Sequence, residues 1–228
     1  LGWAARPGED SETEALRSGL IRDLAEVGDA DVLARAQALF DDDEAGRAPL
    51  AAAVRAAVIG AVGRVADGPR FSALKRRLLA ATSDDDRWRF ASALGRAPGA
   101  EQAREVLALS LTDALPANLA TRLPGMVSEG RWHGELAYQH VVEHWANLAA
   151  RSGGMFGAQA WLLPGAAWSF NTVPQAQRLL TDQQRLAGEP GAAVAQRVAS
   201  RIELLAAIQQ REALRLQPAL EALAAGRR

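Results

Sequence analysis

"SETEALRSGLIRDLAEVGDADVLARAQALF", residues 11–40, decides the fold class. Its apolar residues fall at Leu16, Leu20, Leu24 and Val27, then at Leu33, Ala36 and Leu39 or Phe40. Steps of three and four return to one side of a helix. The two-residue alternation of a half-buried strand is hard to find here or elsewhere. The punctuation agrees with helices. Ser11 followed by Glu14 reads as a capping box, Gly28 suits a left-handed stop, and Asp29 or Asp31 is placed to start the next helix.

The same period continues through Leu50, Val54, Ala57, Val58, Ala61 and Val65. Pro49 and Pro69 read as first-turn prolines. In "TSDDDRWRFASALG", residues 82–95, Ser83 is the expected cap, Asp84, Asp85 and Asp86 face the positive end of the helix dipole, and Gly95 is the expected terminator. This explains the triple aspartate better than a metal cage, for which no converging oxygens are nominated elsewhere. Breaks near Gly28, Gly46, Gly68, Ser83, Pro98 and Asp113 divide the first half into helices of about 11 to 17 residues. Paired, these recur at roughly 35 to 40 residues, the range of stacked helical repeats. The expected fold is all-α: an irregular α-solenoid of antiparallel helix pairs, a HEAT- or armadillo-like superhelix forming one domain over residues 1–228. The second half reads as a longer helix from Trp132 to Arg151, a glycine- and tryptophan-rich stretch, a helix from Val173 to Leu186, and a last helix from Ala192 that Pro218 breaks or restarts.

Composition narrows the function. Lysine and arginine number 26 against 27 acidic residues, so no general positive field gathers phosphates and nucleic acid is not an expected partner. The cluster Arg70, Lys75, Arg76, Arg77 reads as the solvated face of a short helix. The absence of cysteine removes disulfides, thiolate metal sites and cysteine nucleophiles. "MFGAQAWLLPGAAWSF", residues 155–170, is shorter than the ~20 residues of a membrane span and holds Pro164-Gly165, so it reads as a buried, broken helix and no membrane partner is expected. The opening "LGWAARPGED" has neither a starting methionine nor a leader, so the chain is expected to be a segment of a longer protein, cytoplasmic or periplasmic. Abundant alanine and arginine suggest a bacterial source.

"HVVEH", residues 140–144, matches the H-x-x-E-H pattern of inverted zinc peptidases, with His140 and His144 as the candidate metal ligands. On a helix, Ala137, Val141, Trp145 and Leu148 form the buried stripe, widened by Tyr138, Val142 and Ala149. The three histidines then share a polar flank with Arg151. His133 and His144 are about 16 Å apart along such a helix, and no third ligand is marked beside the close pair, so a polar flank is the expected role. No G-x-S-x-G motif or glycine-rich phosphate loop occurs. Among the late aromatics Trp132, Trp145, Phe156, Trp161, Trp168 and Phe170, most are expected in the core and one or two on a concave surface. Gly153-Gly154 reads as a helix stop with a flexible link.

Four stretches carry a family resemblance. They are the opening, through Leu1-Gly2, Gly8-Glu9, Leu16-Arg17, Gly28-Asp29 and Ala36 to Phe40, then "VVEHWANL" (141–148), "SFNTVPQAQRLL" (169–180) and "IELLAAIQQREALRLQPALEAL" (202–223). In that order they resemble the C-terminal helical domain of zinc aminopeptidases of the aminopeptidase N and puromycin-sensitive type. The family's H-E-x-x-H and Gly-Ala-Met-Glu-Asn motifs are absent. The resemblance implies a non-catalytic, HEAT-like domain that closes an active-site chamber and shapes peptide access, with its own upstream catalytic domain and a peptide as partners. Zinc is then expected in that other domain, with no catalytic, cofactor or metal residue here. The alternative is a free-standing helical-repeat scaffold that binds a protein.

Overall fold

The computed structural model describes residues 2–4, 6, 8–153 and 157–225. It is helical throughout, with no strand among the described residues. The first half holds α1 (Ser11–Glu26), α2 (Ala30–Glu44), α3 (Ala52–Arg64), α4 (Gly68–Ala80), α5 (Asp84–Gly95), α6 (Ala100–Leu109), the one-turn α7 (Ala117–Ala120) and α8 (Leu123–Glu129). There follow α9 (Gly134–Glu143), α10 (Trp145–Ser152), a 3-10 turn (Gln159–Trp161), α11 (Leu162–Ala166), α12 (Val173–Leu186) and α13 (Ala192–Ala225).

The helices stack in two layers. One layer runs α1, α3, α5, α8, α11, each packed on the next. The other places α2 chiefly on α3, α4 on α5, and α6 on α8. This is the expected solenoid of helix pairs. Its core is continuous from Ile21 and Phe40 through Val58, Leu74, Phe90 and Leu107 to Leu123. A second cluster joins Tyr138, Leu163, Phe170, Leu179 and Ile202 beneath α12 and α13.

Several local expectations are met. Asp29 caps α2 by accepting from Val32 N–H at 2.9 Å, and Ser83 caps α5 by accepting from Asp86 N–H at 3.2 Å. Gly28, Gly46 and Gly153 all take positive φ at helix ends, while Gly154, Met155 and Phe156 lie outside the described residues. Pro69 sits in the first turn of α4.

Others are corrected. The cap of α1 is Asp10, not Ser11, because its carboxylate reaches Thr13 N–H at 2.7 Å and Ser11 is already helical. Pro49 lies before α3, which starts at Ala52. The expected stripe Leu16, Leu20, Leu24, Val27 is exposed, and α1 buries Arg17, Ile21 and Ala25 instead. Arg17 donates through Nε to the Gly2 carbonyl at 3.1 Å and pairs with Glu9, tying the entering chain to α1. That guanidinium holds the Glu9 carboxyl below its ordinary value. The long helix 132–151 is two, since the backbone leaves helical geometry at His144. Pro218 does not break α13. The side chains from Ala213 to Pro218 are exposed, so water can satisfy the carbonyl that loses its N–H partner.

Gly95 ends α5 as expected but for another reason. It carries no positive φ; a Cβ there would stand 2.7 Å from the Met126 backbone of α8. Gly63 of α3 likewise faces the Ala93 carbonyl of α5, with no room for a methyl group. Gly63→Ala should therefore cost about 1–3 kcal/mol through overpacking. In the same helix Gly60→Ala, where a Cβ meets nothing within 4 Å, should be neutral or stabilising by up to ~1 kcal/mol. Urea unfolding of the two variants checks the opposite signs.

Candidate functional site: an arginine and tryptophan groove

The α1, α3, α5 layer leaves a furrow on its outer side. Its first cavity, of about 380 Å³, is lined along α1 by Ser18, Arg22 and Glu26, along α3 by Ala56, Gly60 and Arg64, and along α5 by Trp88, Ser92 and, at its C-cap, Arg96. Small residues of α3 make the floor and long cations the rim. Glu26 is fixed at the end of α1. It accepts from Arg64 Nη1 at 2.8 Å and also pairs with Arg96, while Arg64 Nη2 caps the Glu26 carbonyl at 2.7 Å. The cation at the last turn meets the negative end of the α1 dipole. With Arg22, Arg64, Arg89 and Arg96 against Glu26 and Asp85, the lining carries a surplus of positive charge.

A second cavity, of about 330 Å³, continues from Trp88 and Ser92 to Arg122, Met126, Glu129, Trp161 and Trp168. Trp161 and Trp168 stand partly in solvent. The Arg201 guanidinium lies 4.2 Å above the Trp168 ring and donates to its carbonyl at 2.8 Å, so that indole is held from behind. Of the late aromatics only Phe170 is fully buried among the described residues; Trp132 is exposed, and Phe156 lies outside them. The expectation that most are core is therefore corrected. Trp145 of α10 is partly buried against the second core cluster, while Trp161 and Trp168 sit on short segments around α11, which offer one packed side where a long helix would bury a whole face. Trp88 was not marked by the sequence, although its place two turns before Arg96 on α5 puts both on one side.

The basic cluster of α4 is spent on neighbouring helices. Arg70 meets Asp41 at 3.0 and 2.6 Å, Arg77 meets Glu44 at 2.7 Å, Lys75 meets Glu105 at 2.7 Å, and Arg76 pairs with Glu44. These pairs lock α4 to α2 and α6.

The histidines have structural employment. His133 Nε2 lies 2.9 Å from the Pro98 carbonyl. Ser110 Oγ lies 2.6 Å from the Leu107 carbonyl and 2.9 Å from His140 Nε2, so in the Nε2–H tautomer its hydroxyl donates to the carbonyl and accepts from the ring. His140 and His144 rings stand 4.7 Å apart. Among the described residues no three metal-ligating side chains converge, so the close pair has no third protein ligand to complete a zinc site.

Burial, and after it the neighbouring His144 charge, push the His140 pKa from 6.5 down to about 4. The folded value lies below the unfolded one, so the unfolded chain binds the extra proton first. Stability is full above pH 6.5 and falls as pH drops toward 4. We expect a loss of about 1–2 kcal/mol over that window, discounted for a ring that is only partly buried. Thermal unfolding against pH should show it, and His140→Gln should flatten that part of the profile.

Comparison with known proteins assigns the chain to a family. No curated protein matches the chain. Residues 1–203 match the family described as ERAP1-like C-terminal domain. That match spans most of the sequence, including every helix that lines the groove, and it agrees with the all-helical, paired architecture. The chain therefore belongs to the ERAP1-like C-terminal domain family.

Proposed function

We propose that this chain is the non-catalytic C-terminal domain of a zinc metalloaminopeptidase and that its groove forms one wall of the peptide chamber. The observation that carries this reading is the continuity of the two cavities through Trp88 and Ser92. A lining of four arginines against Glu26 and Asp85 adjoins, across the shared Trp88 and Ser92, a stretch lined by Trp161 and Trp168. A peptide held by its amino end at a distant zinc trails its remaining residues and terminal carboxylate along such a surface. Arginines attract the carboxylate, and indole faces supply sequence-tolerant apolar contact. The residues of this chain bind and orient; bond cleavage and the metal belong to the upstream domain.

Binding remote parts of a substrate raises the efficiency for long peptides without touching the reacting bond. Arg22 and Arg122 line the two cavities and are exposed, so replacing them leaves the core intact. In the full-length enzyme, Arg22→Gln with Arg122→Gln should raise KM for long peptides about 3- to 10-fold while kcat/KM for dipeptide-sized substrates stays unchanged. Steady-state kinetics across a length series, at two salt concentrations, checks this. An unaltered length dependence would remove the chamber-wall role and favour a protein-binding scaffold.

A further inference from the structure

Helix α8 carries its two charges at ends that do not suit them. Arg122 stands at its N-cap and Glu129 closes its last turn, so a cation meets the positive end of the helix dipole and a carboxylate the negative end. Neither placement stabilises the helix. Arg64, Arg89 and Arg96 of the adjoining cavity are paired with Glu26 or Asp86, whereas no ion pair joins Arg122 or Glu129 to another described residue. Both are exposed and both line the second cavity. Seven residues make nearly two helical turns, which sets the two charges on one side about 10 Å apart.

Trp161 and Trp168 repeat that spacing on the facing wall. They bracket α11, one as its N-cap and the other just past its end. Each is well exposed, at 38% and 39%, and neither indole N–H has an acceptor among the described residues. The two walls meet at Gly125 and Gly165, where a Cβ on Gly125 would stand 3.7 Å from the Gly165 backbone, so no side chain rises between them. Ser128 Oγ accepts from Ser169 N–H at 3.1 Å, which puts Trp168 at the Glu129 end and leaves Trp161 toward Arg122. The result is a trough with a glycine floor and, at each end, one charge and one indole.

We propose, on the reading of the groove as a peptide wall, that this trough is a subsite for a polyproline II segment, with prolines against the indoles, an acidic residue at Arg122 and a basic residue three places away at Glu129. In that conformation residues three apart lie on the same side at about 9 Å, close to the spacing of the two charges. Indole faces pack flat on pyrrolidine rings, and indole N–H groups donate to carbonyls that have no internal partner. Apart from Glu129, the exposed charged and aromatic groups of the trough are donors, so a segment poor in N–H groups suits it best.

An NMR titration of the indole N–H resonances of the 228-residue chain with Ac-Asp-Pro-Pro-Lys-NH2 tests the site. Ac-Asp-Ala-Ala-Lys-NH2 should bind about tenfold more weakly, and Trp161→Leu should weaken the prolyl peptide about fivefold or more. Glu129→Gln should weaken it about threefold and leave Ac-Asp-Pro-Pro-Gln-NH2 unchanged. Equal affinity for the alanyl and prolyl peptides, or full affinity in Trp161→Leu, would overturn the proposal. In the full-length enzyme the same acetylated peptide has no free amino end to offer the zinc, so it should raise KM for long peptides and spare dipeptide-sized substrates. If it binds the chain as stated yet inhibits neither, the prolyl site stands and the chamber wall falls. If Arg22→Gln with Arg122→Gln alters the length dependence while prolyl and alanyl peptides bind alike, the wall stands and the prolyl site falls. Circular dichroism of each variant confirms that the helices are retained.

Discussion

The stack depends on how closely α3, α5 and α8 approach. Gly63 meets the Ala93 backbone, Gly95 meets Met126, and Gly130 meets the Gly95 carbonyl, with hydrogen atoms where other residues carry a Cβ. Such contacts bring helix backbones together where large side chains would hold them apart. They also set the groove. With the three helices this near, one carboxylate on α1 reaches both the last arginine of α3 and the arginine capping α5. A methyl group at Gly63 would therefore disturb both the core and the lining of the cavity.

What the groove offers is charge and flat apolar surface held in fixed places. Glu26 has both carboxylate oxygens occupied by arginine, so it neutralises one guanidinium equivalent and leaves the other to face the cavity. Trp168 is backed by Arg201, and Trp88 stands where the two cavities join. The serine beside His140 is fully buried, within hydrogen-bond distance of the Leu107 carbonyl. The proposed chamber wall would use the arginines and indoles to bind and orient a peptide.

The helical period made the fold class legible, and Gly28, Asp29, Ser83 and Pro69 marked boundaries correctly because each acts through its own backbone or the next turn. Features that depend on a neighbour were not legible. Leu16, Leu20 and Leu24 form as regular a stripe as any in the chain, yet Ile21 and Ala25 are the buried residues, since the partner and not the period decides which apolar side is covered. Gly95 resembled a terminator because a glycine's role in close packing is written on the facing helix. Pro218 resembled a break because the sequence does not show that its surroundings are solvent. Of the groove, the sequence suggested only that one or two late tryptophans line a concave surface. Trp88 and the arginines became distinguishable once α1, α3 and α5 were aligned by their common cavity.

The last helix carries a different consequence. Ala195, Val198, Ala199 and Ile202 of α13 are buried beneath α12, while Leu204, Leu214 and Leu216 beyond them are not. The inner turns unfold only with the body of the molecule. The outer turns rely on their own hydrogen bonds, with a proline among them, and an isolated helix of that length is marginal in water. One continuous rod thus contains two thermodynamic regimes: amide protons of its first turns exchange on the timescale of global opening, and those toward the far end exchange by fraying.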